Sequence, residues 1–388
     1  MTYNSRLLLT LMALPKIGAT TAKKILEGLN IKVNSPNDFI DILEDSIKYT
    51  KTPIFTKSEI EKAVAHADKI EEMSDRAGVK ITSIFDHNYP RKLKRLKKPP
   101  VVVNYIGNFS ILEDRKNCAV IGTRNPTPHG YEYGVRIAKK MAELDFVVVS
   151  GLAIGCDTAG HKGCLEGNGQ TVAVLAQGLN VDKVYPKENR GLAKEIVDTG
   201  GLLLSEYTID QPANQNFFIE RDRIQAGLSD FLFVVETGLK GGTWHTINFA
   251  IESKVPVATY NHPDKYKHFE QTLGNQKLIS ERKAKGIYSL DDFNIFISTV
   301  YKDHIGSLKD LPLEDDSTIE SIVITSPIED YELAEMPKTN IQEPETKIEK
   351  QPIEEQKIEE SKTEEEKPKK KKGSTKKKGK DSSQQSLF

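Results

Sequence analysis

From Asn117 to about Tyr260 short apolar, largely β-branched runs alternate with helical patterns, and this alternation constrains the fold more than any other feature. The runs are CAVIG, FVVVS, TVAVL, LLLSE, FLFVVE and VPVATY, with stretches such as YEYGVRIAKKMAEL, TAGHKGCLEG and RDRIQAGLS between them. Short runs without polar alternation fit strands buried on both faces, and the helical stretches supply the crossovers that parallel strands need. The fold class is therefore α/β, a doubly wound sheet. Ligands of such sheets sit at the carboxyl ends of the strands, so the loops there are the candidates for chemistry.

The most distinctive loop lies in FVVVSGLAIGCDTAGHK, Phe146 to Lys162. Ser150 and Gly151 end a strand, and Gly155 lets the backbone bend just before a helix expected to begin at about Thr158. Backbone N–H groups at such a turn favour an anion. Asp157 is expected to cap the helix and Lys162 to add positive charge one turn in, which suits a phosphate-bearing guest. A tight strand-to-helix connection with no guest is the competing reading, and this stretch alone leaves both open.

Other loops on the same edge repeat the theme. Gly122, Thr123 and Arg124 offer a turn, a hydroxyl and a guanidinium, a set suited to gripping phosphate. Arg221, Arg223, Lys240 and the helix-opening Gly241-Gly242-Thr243 turn add to it. Neither a G-x-x-x-x-G-K-[ST] loop nor G-x-G-x-x-G is present, so nucleotide hydrolysis and dinucleotide redox chemistry lack support. His129, His161 and His245 are too scattered to make a metal site, and Ser150 lacks the G-x-S-x-G elbow of a hydrolase and reads instead as a capping or phosphate-contacting serine.

The flanks differ in kind. Leu7 to Leu29 reads as helix, turn, helix, with Lys16, Ile17 and Gly18 in the turn. This resembles a helix-hairpin-helix, whose amides meet a nucleic-acid phosphate, although Lys16 stands where the motif usually has glycine; packing alone is the other reading. Lys57 to Ala77 forms a further amphipathic helix that completes a small all-α domain over residues 1–78. Six basic residues lie between Arg91 and Lys98, readable as a solvated face or as a contact to a polyanion. The sheet domain is expected over 79–300, a weakly structured linker over 301–336, and a disordered tail over 337–388, where ten acidic residues between Glu343 and Glu366 precede eight lysines between Lys369 and Lys380. These opposed blocks are hidden in a net charge of −1 over 388 residues. Three cysteines without metal-ligand spacing, and no uninterrupted apolar segment of about 18 residues, lead to the expectation of a soluble, reduced, cytoplasmic chain with no membrane contact.

The ordered set YPRKLKRLKKPPVVVNYIGN, VIGTR, the VVVSGLAIGCDTAGHK stretch, LLLSEY and FIERDRIQAGLSDFLFVVE closely resembles the DprA/Smf family of DNA-processing proteins, from about Ile81 to Leu278. The resemblance implies an extended Rossmann-like domain preceded by a helix-hairpin-helix or SAM-like helical domain. It also implies single-stranded DNA bound in a basic pocket, self-association as a homodimer, loading of the RecA recombinase during uptake of transforming DNA, and neither catalysis nor a cofactor. Carried over residue by residue, the family turns fall on Gly122, Thr123 and Arg124 and on Ser150 to Ala153, with Asp157 and His161 following. The family's Arg-Asn-Arg is Arg221-Asp222-Arg223 here, and its Ser-Gly-Ser-Leu turn is Gly241-Gly242-Thr243-Trp244; both departures put the pocket's guest in doubt.

Two other functions stay open. A nucleotide-binding or nucleotide-cleaving protein of the lysine-decarboxylase-like class would share the glycine turn, but its glutamate is replaced by Trp244-His245-Thr246, the next being Glu252. A family member acting in defence against foreign DNA is the other. Finally, QQSLF resembles the docking peptide of the bacterial sliding clamp: Gln384 offers hydrogen bonds, and Leu387 and Phe388 offer apolar contacts. A chance match of five residues is the competing reading.

Overall fold

Among the described residues, three helices precede the sheet. Thr2 caps α1 (Tyr3–Ala13), its hydroxyl accepting from the Ser5 amide, and a Thr56–Glu59 capping box opens α3 (Lys57–Arg76). Leu7, Leu8 and Leu11 of α1 pack against Ile25 and Leu26 of α2 (Ala19–Leu29) and Ala63, Ala67 and Ile70 of α3. Ile81, Val101 and Val102 belong to the same hydrophobic cluster, so the helices share a core with the first strands of the sheet. This computed structural model describes residues 1–29, 55–113 and 115–307, all within the unit Met1–Leu313. The unit Glu314–Phe388, and with it the expected tail and Gln384, Leu387 and Phe388, lies outside the described residues.

The sheet begins with β1 (Lys80–Ser83), a single helical turn α4 (Arg91–Lys94) and β2 (Val102–Gly107). Alternation then sets in: β3 (Lys116–Ile121), α5 (Pro128–Glu143), β4 (Phe146–Ser150), α6 (Cys156–Glu166), β5 (Thr171–Leu175), α7 (Arg190–Asp198) and β6 (Leu202–Ser205). It continues through α8 (Gln215–Leu228), β7 (Phe231–Val234), α9 (Thr243–Glu252), β8 (Val257–Tyr260), α10 (Leu273–Ser280), β9 (Lys285–Ile287) and α11 (Leu290–Ser307). The six apolar runs are all strands, as expected. The helix after β4 starts at Cys156, two residues earlier than expected, with Gly155 rather than Asp157 at its cap position.

Strand order among the described residues is β1-β2-β6-β5-β4-β3-β7-β8-β9. β2 runs antiparallel to both neighbours, and every other pairing is parallel. From β3 the chain winds outward through β4, β5 and β6, then returns to lay β7 on the other flank of β3 and winds the opposite way. The order therefore reverses between β3 and β7, and a doubly wound sheet opens a crevice there. Side chains obey the two-residue period of a strand. Cys118, Val120, Phe146, Val148, Phe231 and Phe233 face one way, against Met141 of α5 and Phe293 of α11. Val147, Val149, Val172 and Val174 face the other, against Ile224 and Leu228 of α8. No described helix is long and apolar enough to cross a membrane.

Candidate nucleic-acid interface

Loops after β3, β4 and β7, with the first turns of α8 and α9, enclose a cleft of about 770 Å³ at the β3/β7 reversal. Of the residues singled out in the sequence, Gly122, Thr123, Arg124, Asp157, Arg221, Lys240, Gly241, Gly242 and Thr243 line it. Arg124 and Lys240 are exposed, and neither has an ion-pair partner among the described residues. Gly241 takes a φ of 128°, a left-handed value that favours glycine, and leads into α9. At the start of α9 the Trp244 and His245 amides already donate to the Gly241 and Gly242 carbonyls at 3.3 and 2.9 Å, so this turn sets Lys240 on the cleft rim rather than opening a row of free N–H groups.

The β4–α6 turn does favour an anion, but the anion comes from within the chain. The Asp157 carboxylate accepts from the Gly151 amide at 3.1 Å and the Ala153 amide at 3.3 Å. Burial pushes its pKa up, opposed by Arg221 and by those two amides. Gly155, at φ 83°, is needed because a Cβ there would lie 2.5 Å from the Thr123 carbonyl oxygen and 2.6 Å from that of Arg124. Gly122 is needed for the same close approach, since its Cβ would lie 2.5 Å from Cys156 Sγ. These glycines hold the β3 loop against the start of α6; they do not open amides to a guest. The Thr123 amide is also spent, on the Glu236 carbonyl at 2.7 Å.

Several expected phosphate contacts lie elsewhere. Ser150 is fully buried and its hydroxyl donates to the Val120 carbonyl on the neighbouring strand at 2.6 Å. His161 is in the core. The Thr171 hydroxyl donates to the Val148 carbonyl, so His161 Nδ1 carries the proton and donates to Thr171 Oγ1 at 2.7 Å. Burial, with Arg221 adding to it, pushes this imidazole down to about 3, so it stays neutral. Lys162 is exposed on α6 and does not line the cleft. Arg223 is half-buried: its guanidinium holds both Glu206 carboxylate oxygens at 2.7 Å and donates to the Glu220 and Lys98 carbonyls, a tie between α8, the end of β6 and the segment before β2. Arg221 lines the cleft floor but is only 5% exposed, donating to the Val174 carbonyl at 2.8 Å and pairing with Asp222 at 3.3 Å. A Cβ on Gly151 would fall 1.6 Å from Arg221 Nη1, so that glycine makes room for the guanidinium. In the helical hairpin Lys16 adopts φ 66°, the glycine-like conformation its place in the motif demands, and both Lys16 and Gly18 are exposed.

The cleft also holds groups the sequence reading passed over. Phe218 of α8 and Tyr185, 53% exposed, stand at its mouth with ring centroids 6.0 Å apart, and the Arg124 guanidinium lies 5.2 Å from the Phe218 centroid. Asp222, already marked in the sequence as the departure from Arg-Asn-Arg, lies on the floor. Gln225, with its amide turned to satisfy both neighbours, donates to Asp222 Oδ1 at 3.1 Å and accepts from the Gly151 amide at 2.8 Å. Burial lifts the Asp222 carboxyl to about 7, against the pull of Arg221 and with the push of Asp157. The arrangement has a cationic rim, a helix start, two aromatic faces and an acidic floor. Phosphate suits the rim and unpaired bases suit the rings.

A doubly wound, Rossmann-like α/β protein with a cation-rimmed cleft at its switch point is the class that fold and site define. Residues 80–298 match the family described as DNA recombination-mediator protein A. The chain belongs to that family. It is 38% identical over 183 residues to Protein Smf of Synechocystis, covering 46% of this chain and 45% of that one. To the DNA processing protein DprA of Bacillus subtilis it is 30% identical over 236 residues, covering 61% and 77%. The chain thus spans less than half the length of the Synechocystis relative. Among solved structures it is similar to DprA of Streptococcus pneumoniae (26% identity, TM-score 0.59, covering 75% of this chain and 96% of that one). It is also similar to DNA processing protein A of Helicobacter pylori (28% identity, TM-score 0.50, covering 58% and 97%), which is described by its single-stranded DNA binding mode.

Proposed function

We propose that the chain binds single-stranded DNA in the β3/β7 cleft and acts as a recombination mediator rather than as a catalyst. The observation that carries this reading is the pairing of two solvent-facing cations, Arg124 and Lys240, with the aromatic faces of Tyr185 and Phe218 around one cleft. A duplex hides its base faces in the stack, whereas a single strand can offer phosphates to the cations and bases to the rings together. The Helicobacter pylori relative's single-strand binding supports the same reading. Nucleotide cleavage is less well served, because Glu252 ends α9, at the opposite end of that helix from the glycine turn.

Loading of RecA, a role in DNA uptake, a homodimer and a cytoplasmic setting follow from the family as parts of this proposal. Docking of QQSLF on the sliding clamp is a separate part of the proposal that rests on the motif's likeness to clamp-docking peptides, tested by comparing clamp binding of the full chain with Leu387→Ala plus Phe388→Ala; equal binding would remove the docking claim. The DNA reading is tested by titrating the full chain with single-stranded DNA, duplex and mononucleotide across a salt series. Tight, steeply salt-dependent binding confined to the single strand is expected. Preference for the mononucleotide would overturn it in favour of nucleotide binding.

A further inference from the structure

The six cations between Arg91 and Lys98 divide into two groups. Arg91 pairs with Glu113 at 3.0 Å and Lys92 with Asp230 at 2.8 Å. Lys94, Arg95, Lys97 and Lys98 are exposed, and none has a carboxylate within ion-pair distance among the described residues. Four like charges within five residues repel one another, and a polyanion relieves that repulsion.

The backbone carrying these four charges is fixed. Leu93 is fully buried, and the Tyr89 hydroxyl donates to the Pro100 carbonyl. Leu96 sits over Gly227 of α8, where a Cβ would come within 2.5 Å of its Cδ2. Arg223 of α8 donates to the Lys98 carbonyl at 2.9 Å and is itself clamped by Glu206. The basic segment is therefore mounted on α8, the helix whose other flank presents Phe218 and Asp222 to the cleft. At 100° per residue, Arg223 and Gly227 stand roughly 100–140° around the helix from Asp222, so the two surfaces are separated by about one helix diameter, on the order of 10 Å.

We propose that Lys94, Arg95, Lys97 and Lys98 form a second phosphate-contact site for the same single strand, which leaves the cleft, crosses α8 and runs along this segment. The proposal rests on the reading of the cleft as a single-strand site. It makes the footprint longer than the cleft alone and assigns the segment to backbone contact without base readout.

The test replaces all four residues by glutamine in the full chain and compares a short oligothymidylate of about 5 nucleotides, enough for the cleft, with one of about 20. For the long strand we expect affinity to fall 10- to 100-fold and the slope of log K against log salt to flatten by about 2 to 3, from four phosphates at about 0.7 each. Affinity for the short strand should stay within about twofold, and arginine at Lys94, Lys97 and Lys98 should preserve long-strand binding. Equal losses on both strands, or none on the long one, would overturn the proposal. Arg124→Ala, run in parallel, should weaken both strands; were it to weaken neither, the cleft reading would fall while the length comparison still reported on the basic segment.

Discussion

Replacing Asp222 by asparagine removes a negative charge from the cleft floor and keeps an oxygen acceptor for Gln225 and for the Thr246 hydroxyl. Burial lifts the Asp222 carboxyl to about 7 in the folded protein; in an unfolded chain an aspartate titrates near about 3.9. Between those values the folded state binds one proton more than the unfolded state. Stability from this group is thus fully present below about pH 4 and is lost as pH rises through about 7. Three units at about 1.4 kcal/mol each set a ceiling near 4 kcal/mol, and relaxation around Arg221 and Asp157 brings the expected loss to about 1–3 kcal/mol. The neutral amide of the asparagine variant carries no such penalty. In urea unfolding without DNA, Asp222→Asn should therefore match the native chain near pH 4 and exceed it by about 1–3 kcal/mol at pH 8. The same substitution should tighten single-strand binding at pH 8, because an entering phosphate no longer meets a carboxylate. A stability difference of equal size at both pH values, or a less stable variant at pH 8, would refute this reasoning.

Arg124→Ala should weaken single-strand binding by about tenfold, since one charge-assisted contact is worth about 1.5 kcal/mol, without moving the thermal midpoint, because the side chain is exposed; unfolding together with lost affinity would make Arg124 structural. Gly155→Ala should cost at least about 2 kcal/mol and displace the Thr123–Arg124 backbone, given its φ of 83° and the two carbonyl oxygens in the way; denaturant unfolding beside a binding titration checks it, and an unchanged midpoint would contradict the packing described. Gly18→Val should stay within about 1 kcal/mol of the native stability, since a Cβ there meets nothing within 4 Å. It should reduce duplex binding while sparing the single strand, whereas equal loss on both would confine the hairpin to a packing role.

Strand identity was legible because β3, β4 and β5 are short apolar runs with no polar alternation, which only a sheet covered on both faces accommodates. The return of the chain to place β7 beside β3 was not written in any local pattern, yet it decides which loops meet. The glycine turn after β4 could be read as anion-favouring, since its backbone geometry is local. Its guest could not, because Asp157 takes the Gly151 and Ala153 amides only once α6 turns back on the loop. Arg124, Arg221 and Arg223 are the same residue type, and packing alone separates them: the first is open to solvent, the second lies under Gly151 and the third is clamped by Glu206. Phe218 and Tyr185 carry neither charge nor glycine to draw notice, and an aromatic on a helix start or in a loop gains meaning only when a second ring faces the same cavity.

The central claim is that a single strand occupies the cleft between the loops after β3 and β7. Photo-cross-linking of a short oligothymidylate bearing a photoreactive base to the full chain, with adducts mapped by mass spectrometry, tests it directly. Adducts on Phe218 or Tyr185 that disappear under excess unmodified strand are expected. Adducts confined to the α1–α2 hairpin or to other surfaces, with none on α8 or around Tyr185, would contradict it.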